Sequence, residues 1–126
     1  MRLLVDASVL IALVDGRLDA RIKEALTDPD AAVHASVASL WEIAIKVRLG
    51  KLALNAPLAR LPELVAQMGI TVLAIEAAHV ITPAEPAPQT RDPFDRLLLA
   101  QCMVENLRLV TIDRQLTAHP FAWRPH

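Results

Sequence analysis

The chain has 126 residues, 54% of them hydrophobic but only 3% aromatic, with a formal net charge of −1 and one cysteine. That length carries the core of a single domain spanning residues 1–126, built from Leu, Ile, Val and Ala, and the apolar excess predicts surface committed to a partner or a second copy. The balance of charge excludes a global nucleic-acid-binding signature, charges interrupt every run that could span a membrane, and a lone Cys102 excludes an internal disulfide and agrees with a reducing cytoplasm.

Short apolar runs alternate with helical patterns, which predicts an α/β fold with a mainly parallel sheet. "RLLVD" (2–6) reads as a buried strand leading into a helix through about Val14. Asp6 and the missing small-residue cleavage site argue against a signal peptide there. Residues 18–28 form an amphipathic helix ended by Pro29. "AAVHAS" (31–36) is a second strand, and "VASLWEIAIKVRLG" (37–50) a helix with Gly50 at its stop. Residues 58–69 read as a helix whose start Pro62 delays, 70–75 as a third strand, and 76–81 as a short helix. Residues 83–93 hold four of the nine prolines and read as a loop. A helix from Pro93 to about Asn106, a strand over 108–112, a helical turn from Asp113 and an edge strand "FAWR" (121–124) complete the chain.

Two strands echo each other: "RLLVDAS" and "RLVTIDR" are both arginine, apolar strand, aspartate. In an open parallel sheet, ligands gather at the carboxyl ends of strands where strand order reverses. If these strands are neighbours, Asp6 and Asp113 share that rim. Either aspartate also suits the N-cap of the following helix. Glu42 lies on a helix that is apolar almost all round, so the helix is expected to be buried or to face another subunit. Ser39, Glu42 and Lys46 form its one polar stripe. In "RDPFDR", Asp92 before its proline is a natural N-cap, and Asp95 falls at the third helical position, where it can reach back in a capping box. Basic residues follow the acids closely: Lys46, Arg48 and Lys51 after Glu42, Arg91 and Arg96 around the aspartate pair, and Arg114 after Asp113. They are the candidates for contacts to phosphate groups. The four histidines, His34, His79, His119 and His126, lack metal-ligand spacing, and Cys102 lies on an apolar helix.

Four segments in order, "LLVDASVLIAL", "SVASLWEIAIKVRLGKL", "DPFDRLLLAQ" and "LVTID", resemble the PIN-domain ribonucleases, and among them the VapC-type toxins of type II toxin–antitoxin modules. The stretch "TPAEPAPQTRDPFD" departs from relatives that carry a leucine-proline turn and a histidine before "DPFDR". The resemblance implies a three-layer α/β/α domain with a central, mainly parallel sheet. It implies catalytic acids at Asp6, Glu42, Asp95 and Asp113, with Asp6, Asp95 and Asp113 as direct metal ligands and Ser8 and Thr111 as supporting hydroxyls. Carboxylates crowded on one rim need a counter-charge, and Mg²⁺ or Mn²⁺ prefers such oxygen donors. The implied activity is metal-dependent hydrolysis of RNA phosphodiesters to 5′-phosphate and 3′-hydroxyl ends. The implied partners are RNA, a cognate VapB-like antitoxin and a second copy in a homodimer, with no membrane. Two rivals stand beside this reading. A phospho-accepting receiver domain expects paired acids after the first strand and a late lysine, whereas Asp6 stands alone and no lysine follows Lys51. A catalytically inactive PIN-like module that only binds RNA or an antitoxin would have no need of all four acids.

Overall fold

A computed structural model describes residues 1–125. The elements are β1 (Arg2–Val5), α1 (Ala7–Val14), α2 (Ala20–Thr27), β2 (Ala32–Ser36), α3 (Val37–Arg48), α4 (Leu61–Gln67), β3 (Thr71–Leu73), α5 (Ala77–Ile81), α6 (Pro93–Glu105), β4 (Arg108–Val110) and α7 (Arg114–Thr117). Each predicted element is present within a few residues except the last. A 3₁₀ turn, Leu58–Arg60, precedes α4 and accommodates Pro62 at the start of the helix, where its missing N–H costs nothing. "FAWR" forms no strand. Ala122 makes one isolated bridge to Leu109, because Pro120 and Pro125 on either side deny the segment a continuing ladder.

The four strands lie in the order β3-β2-β1-β4, all parallel. Period-two alternation divides the core between the two faces of the sheet. Leu3 and Val5 of β1 pack with Val33, Ala35 and Val110 against α1 and α4. Leu4 and Leu109 point the other way and pack with Leu98, Leu99 and Cys102 of α6 and Leu116 of α7. Helices therefore flank a central parallel sheet, as the α/β reading expects.

The chain first moves outward, from β1 to β2 to β3, and then returns to lay β4 on the opposite edge of β1. The strand order reverses between β1 and β4, so a crevice opens at their carboxyl ends. Val5 pairs with Val110, and the Asp6 amide donates to the Val110 carbonyl at 3.1 Å. The two echoing strands are neighbours, and the residues that follow them meet at one rim.

The helix α3 corrects one expectation. Ser39 is buried although it was placed on the polar stripe, and its hydroxyl has no partner among the described residues. Trp41 is 59% exposed, and Val37 and Leu49 are also exposed. A helix apolar on every side carries no angular signal for which stripe faces the core, and tertiary packing chose one centred on Ala38, Ser39 and Ile43. Among the described residues, no helix is long and apolar enough to cross a membrane.

Candidate active site

At the β1/β4 rim lies a pocket of about 160 Å³ lined by Asp6, Ser8, Glu42, Lys46, Asp92, Asp95 and Asp113, with Ala7 and Leu98 at its base. Four separate elements deliver the acids. Asp6 leaves β1, Glu42 projects from α3, Asp92 and Asp95 open α6, and Asp113 follows β4. All four predicted carboxylates are brought together.

Three of these acids also cap helices. Asp6 Oδ1 accepts from the Val9 amide at 2.9 Å and from the Ser8 hydroxyl at 2.7 Å. Asp92 Oδ1 accepts from the Phe94 amide and Asp113 Oδ1 from the Gln115 amide, each at 2.9 Å. Capping and site placement are not alternatives, because a carboxylate that caps through one oxygen keeps the other as a donor toward a ligand. Asp95 sits one turn into α6, and its bond differs from the expected capping box. The Asp92 amide donates to Thr90 Oγ1 at 3.1 Å, and that hydroxyl donates to Asp95 Oδ2 at 3.1 Å. Thr90 has inserted its hydroxyl into the box. Thr111 repeats the motif two residues before Asp113, whose amide donates to Thr111 Oγ1 at 3.0 Å, and the Thr111 hydroxyl favours the ionised form of Asp6.

Negative charge accumulates here faster than it is offset. Burial pushes the Asp6 carboxyl above the usual carboxylate range, against the hydroxyls of Thr111 and Ser8 and the Val9 amide, and Glu42 adds repulsion. Asp95 is pushed up to about 6, first by burial, then by the charge of Asp92, with smaller contributions from Asp113 and Glu42. Among the described residues, the one cation lining the pocket is Lys46. Its Nζ donates to Glu42 Oε2 at 2.7 Å, a bond that raises its pKa, and Asp92 and Asp95 add to the effect. Five carboxylates against one ammonium is the charge pattern that a hard dication relieves, and an all-oxygen donor set suits Mg²⁺ or Mn²⁺. The donor chemistry therefore fits such an ion, although among the described residues no three His, Cys, Asp or Glu side chains stand together closely enough to hold one.

The basic candidates divide. Lys46 alone lines the pocket. Arg114 and Arg91 are exposed beside it in sequence, and Arg96 donates to the Pro88 carbonyl at 3.5 Å. Arg48 instead lines an apolar groove with Leu40, Leu58 and Leu61 on another part of the surface, and Lys51 is exposed near the end of α3. His79 and His119 are buried and hydrogen-bonded, His34 lies 3.3 Å from the Leu3 carbonyl, Cys102 is in the core, and His126 lies outside the described residues. Asp92 as a fifth pocket carboxylate went unread. The three-residue spacing to Asp95 was its signal, since it puts both on one face of a helix. Thr90 had none beyond its threonine-X-aspartate match with Thr111.

The PIN domain family profile matches residues 3–122. A solved structure described as a toxin-antitoxin complex from Klebsiella pneumoniae superimposes with a TM-score of 0.59 at 17% sequence identity, covering 98% of each chain. At that identity the likeness establishes a shared fold. No curated protein matches significantly in sequence.

Proposed function

The chain belongs to the PIN domain family, and from that premise we propose that it is a Mg²⁺- or Mn²⁺-dependent endoribonuclease, the VapC-type toxin of a type II toxin–antitoxin module. The observation that carries the reading is the convergence of Asp6, Glu42, Asp92, Asp95 and Asp113 on one pocket at the strand-order reversal. So dense a set of carboxylates destabilises the fold, which is reason to look for a ligand that compensates it. PIN domains are in general nucleases, and the toxin assignment draws on the fold shared with the Klebsiella complex.

Asp6, Asp95 and Asp113 are the proposed ligands. A cation held there would polarise a phosphoryl oxygen and lower the pKa of a water molecule, the chemistry that hydrolysis of a phosphodiester needs. The chain supplies the rest. The hydroxyls of Ser8 and Thr111 favour the ionised form of Asp6 against the burial that disfavours it. Glu42, which accepts from Lys46 at 2.7 Å, would bind through water or help to orient the nucleophile. Arg91, Arg96 and Arg114 give the phosphates of a single strand cationic partners around an acidic centre that otherwise repels them. Attack by water on phosphorus with the 3′-oxygen as the leaving group would give the 5′-phosphate and 3′-hydroxyl ends that the family resemblance implies.

For partners we propose a homodimer and a cognate antitoxin that covers the pocket, with a basic side chain to meet the carboxylates. The dimer reading draws on the exposed apolar residues of the edge strand and its neighbours, Val72, Ile75, Val80 and Ile81, the last of them 78% exposed. Cleavage of RNA by the purified chain should stop on addition of EDTA and return with Mg²⁺ or Mn²⁺. Asp6→Ala should lower it by more than about a hundredfold, since even the residues that only support metal ligands cost about 10–100-fold. An Asp6→Ala protein that cuts the same sites at the same rate would end this reading. RNA binding that survives EDTA without any cleavage would leave the binding module in its place.

A further inference from the structure

Beside the carboxylate pocket lies a second cleft, of about 350 Å³, between the proline-rich loop and α7, lined by Pro86, Pro88, Gln89, Arg114, Gln115 and His119. Resting on the ribonuclease reading above, we propose that this cleft is a nucleotide subsite, which holds one base of the RNA next to the scissile phosphate and so sets where the strand is cut.

Its position comes first. One wall runs along the chain from Pro86 to Thr90, whose hydroxyl bonds Asp95. The other wall is α7, whose N-cap is Asp113. Both walls therefore begin at a carboxylate of the pocket, and an RNA strand crossing the pocket has the cleft as its next seat.

The chemistry differs from that of the pocket. None of the residues lining the cleft is acidic, whereas five acids line the pocket. Arg114 offers a guanidinium for a phosphate. The primary amides of Gln89 and Gln115 each carry donors and an acceptor, the complement of a base edge. The prolines supply apolar surface on which a base can lie. A volume of this size suits a small ligand, and neither wall offers the large apolar anchors on which a protein helix docks.

The wall is also built to hold its shape. His119 is buried, with Nε2 donating to the Pro86 carbonyl at 2.8 Å and Nδ1 accepting from the Phe121 amide at 3.1 Å. Arg96 donates to the Pro88 carbonyl at 3.5 Å, and Pro88 itself is buried. The loop that departs most from the family pattern is thus pinned at three points, Pro86, Pro88 and Thr90. A fixed wall binds a base without first having to order itself.

Two measurements test this. A random-sequence RNA pool is cut by the wild type, Gln89→Leu and Gln115→Leu, and the ends are sequenced. The base preference at one position beside the cut should flatten about tenfold in the variants relative to the other positions, the effect of losing one reading hydrogen bond. Separately, the side-chain amide resonances of Gln89 and Gln115 in the full chain are followed in EDTA as a short RNA oligonucleotide is added, and both should shift. Cleavage with an unchanged profile, or RNA binding that leaves both amides unmoved, overturns the subsite and spares the ribonuclease reading. Shifted amides with no cleavage in Mg²⁺ or Mn²⁺ would overturn the ribonuclease reading and leave the cleft a base-binding site that sets no cut. Amides that move only with a protein partner would assign the cleft to that partner and overturn the proposal.

Discussion

Thr90-Arg91-Asp92 and Thr111-Ile112-Asp113 are the same turn used in two settings. In both, the threonine hydroxyl accepts from the aspartate amide at 3.0–3.1 Å while the aspartate caps the next helix. Thr90 Oγ1 also donates to a second carboxylate, Asp95 Oδ2, and the Thr111 hydroxyl favours the ionised form of Asp6. The settings differ in what surrounds that carboxylate. Asp6 is 5% exposed, directly after a core strand, whereas Asp95 is only partly buried in the first turn of α6. A hydroxyl is worth more where water cannot replace it. The comparison teaches that one local motif can support two acids of one pocket while leaving them with different tolerance to change.

The largest expected effect separates the two threonines. Thr111→Val strips the Asp113 amide of its partner and removes a hydroxyl that favours ionised Asp6, and chemical denaturation should find it about 1–3 kcal/mol less stable. Thr90→Val should cost less, because water reaches Asp95. Equal losses would break the comparison. Next comes Asp95→Asn. The folded-state pKa of Asp95 is raised to about 6, so its contribution to stability is fully present below the ordinary value of 3.8 and is lost as pH rises through about 6. Thermal melts should therefore show wild type losing ground to Asp95→Asn between pH 4 and 6 and a constant gap above. That gap is about 1 kcal/mol once discounted for the water that reaches a partly exposed group. A gap that widens toward low pH would contradict the sign. The smallest effect belongs to Lys46→Met, which removes an i,i+4 pair worth about 0.2–0.5 kcal/mol. Its value lies in the titration of Asp95, which should move upward when the neighbouring ammonium is gone, as read by carboxyl NMR.

Much of this was legible in the sequence, for reasons that differ by region. Strands β1 and β4 announced themselves as apolar runs ending in aspartate, and their adjacency could be posed as a condition that the strand order then met. Asp6, Glu42 and Asp113 were legible as candidates because each stands where secondary structure changes or interrupts an apolar face, whereas the family resemblance singled out Asp95 from its pair. The orientation of α3 was not legible. With Val37, Leu40, Trp41, Ile43 and Ile45 spread around its axis, only packing could decide that Ser39 goes in and Trp41 stays out. Nor was the proline-rich loop, which has no period to read and whose path depends on long-range bonds from His119 and Arg96. Asp92 was assigned to capping alone because the sequence invites a choice between cap and site that the geometry does not require.

The return of the chain to place β4 beside β1 has a temporal consequence. Asp6, Glu42 and Asp95 are all made before Asp113, and β1 keeps an open edge until residues 108–110 arrive to pair with residues 3–5. Such a pairing, over a hundred residues apart in sequence, is slow to form and comes late in folding. During synthesis the pocket therefore closes near the end, and its full set of acids exists only in a chain complete through its last strand.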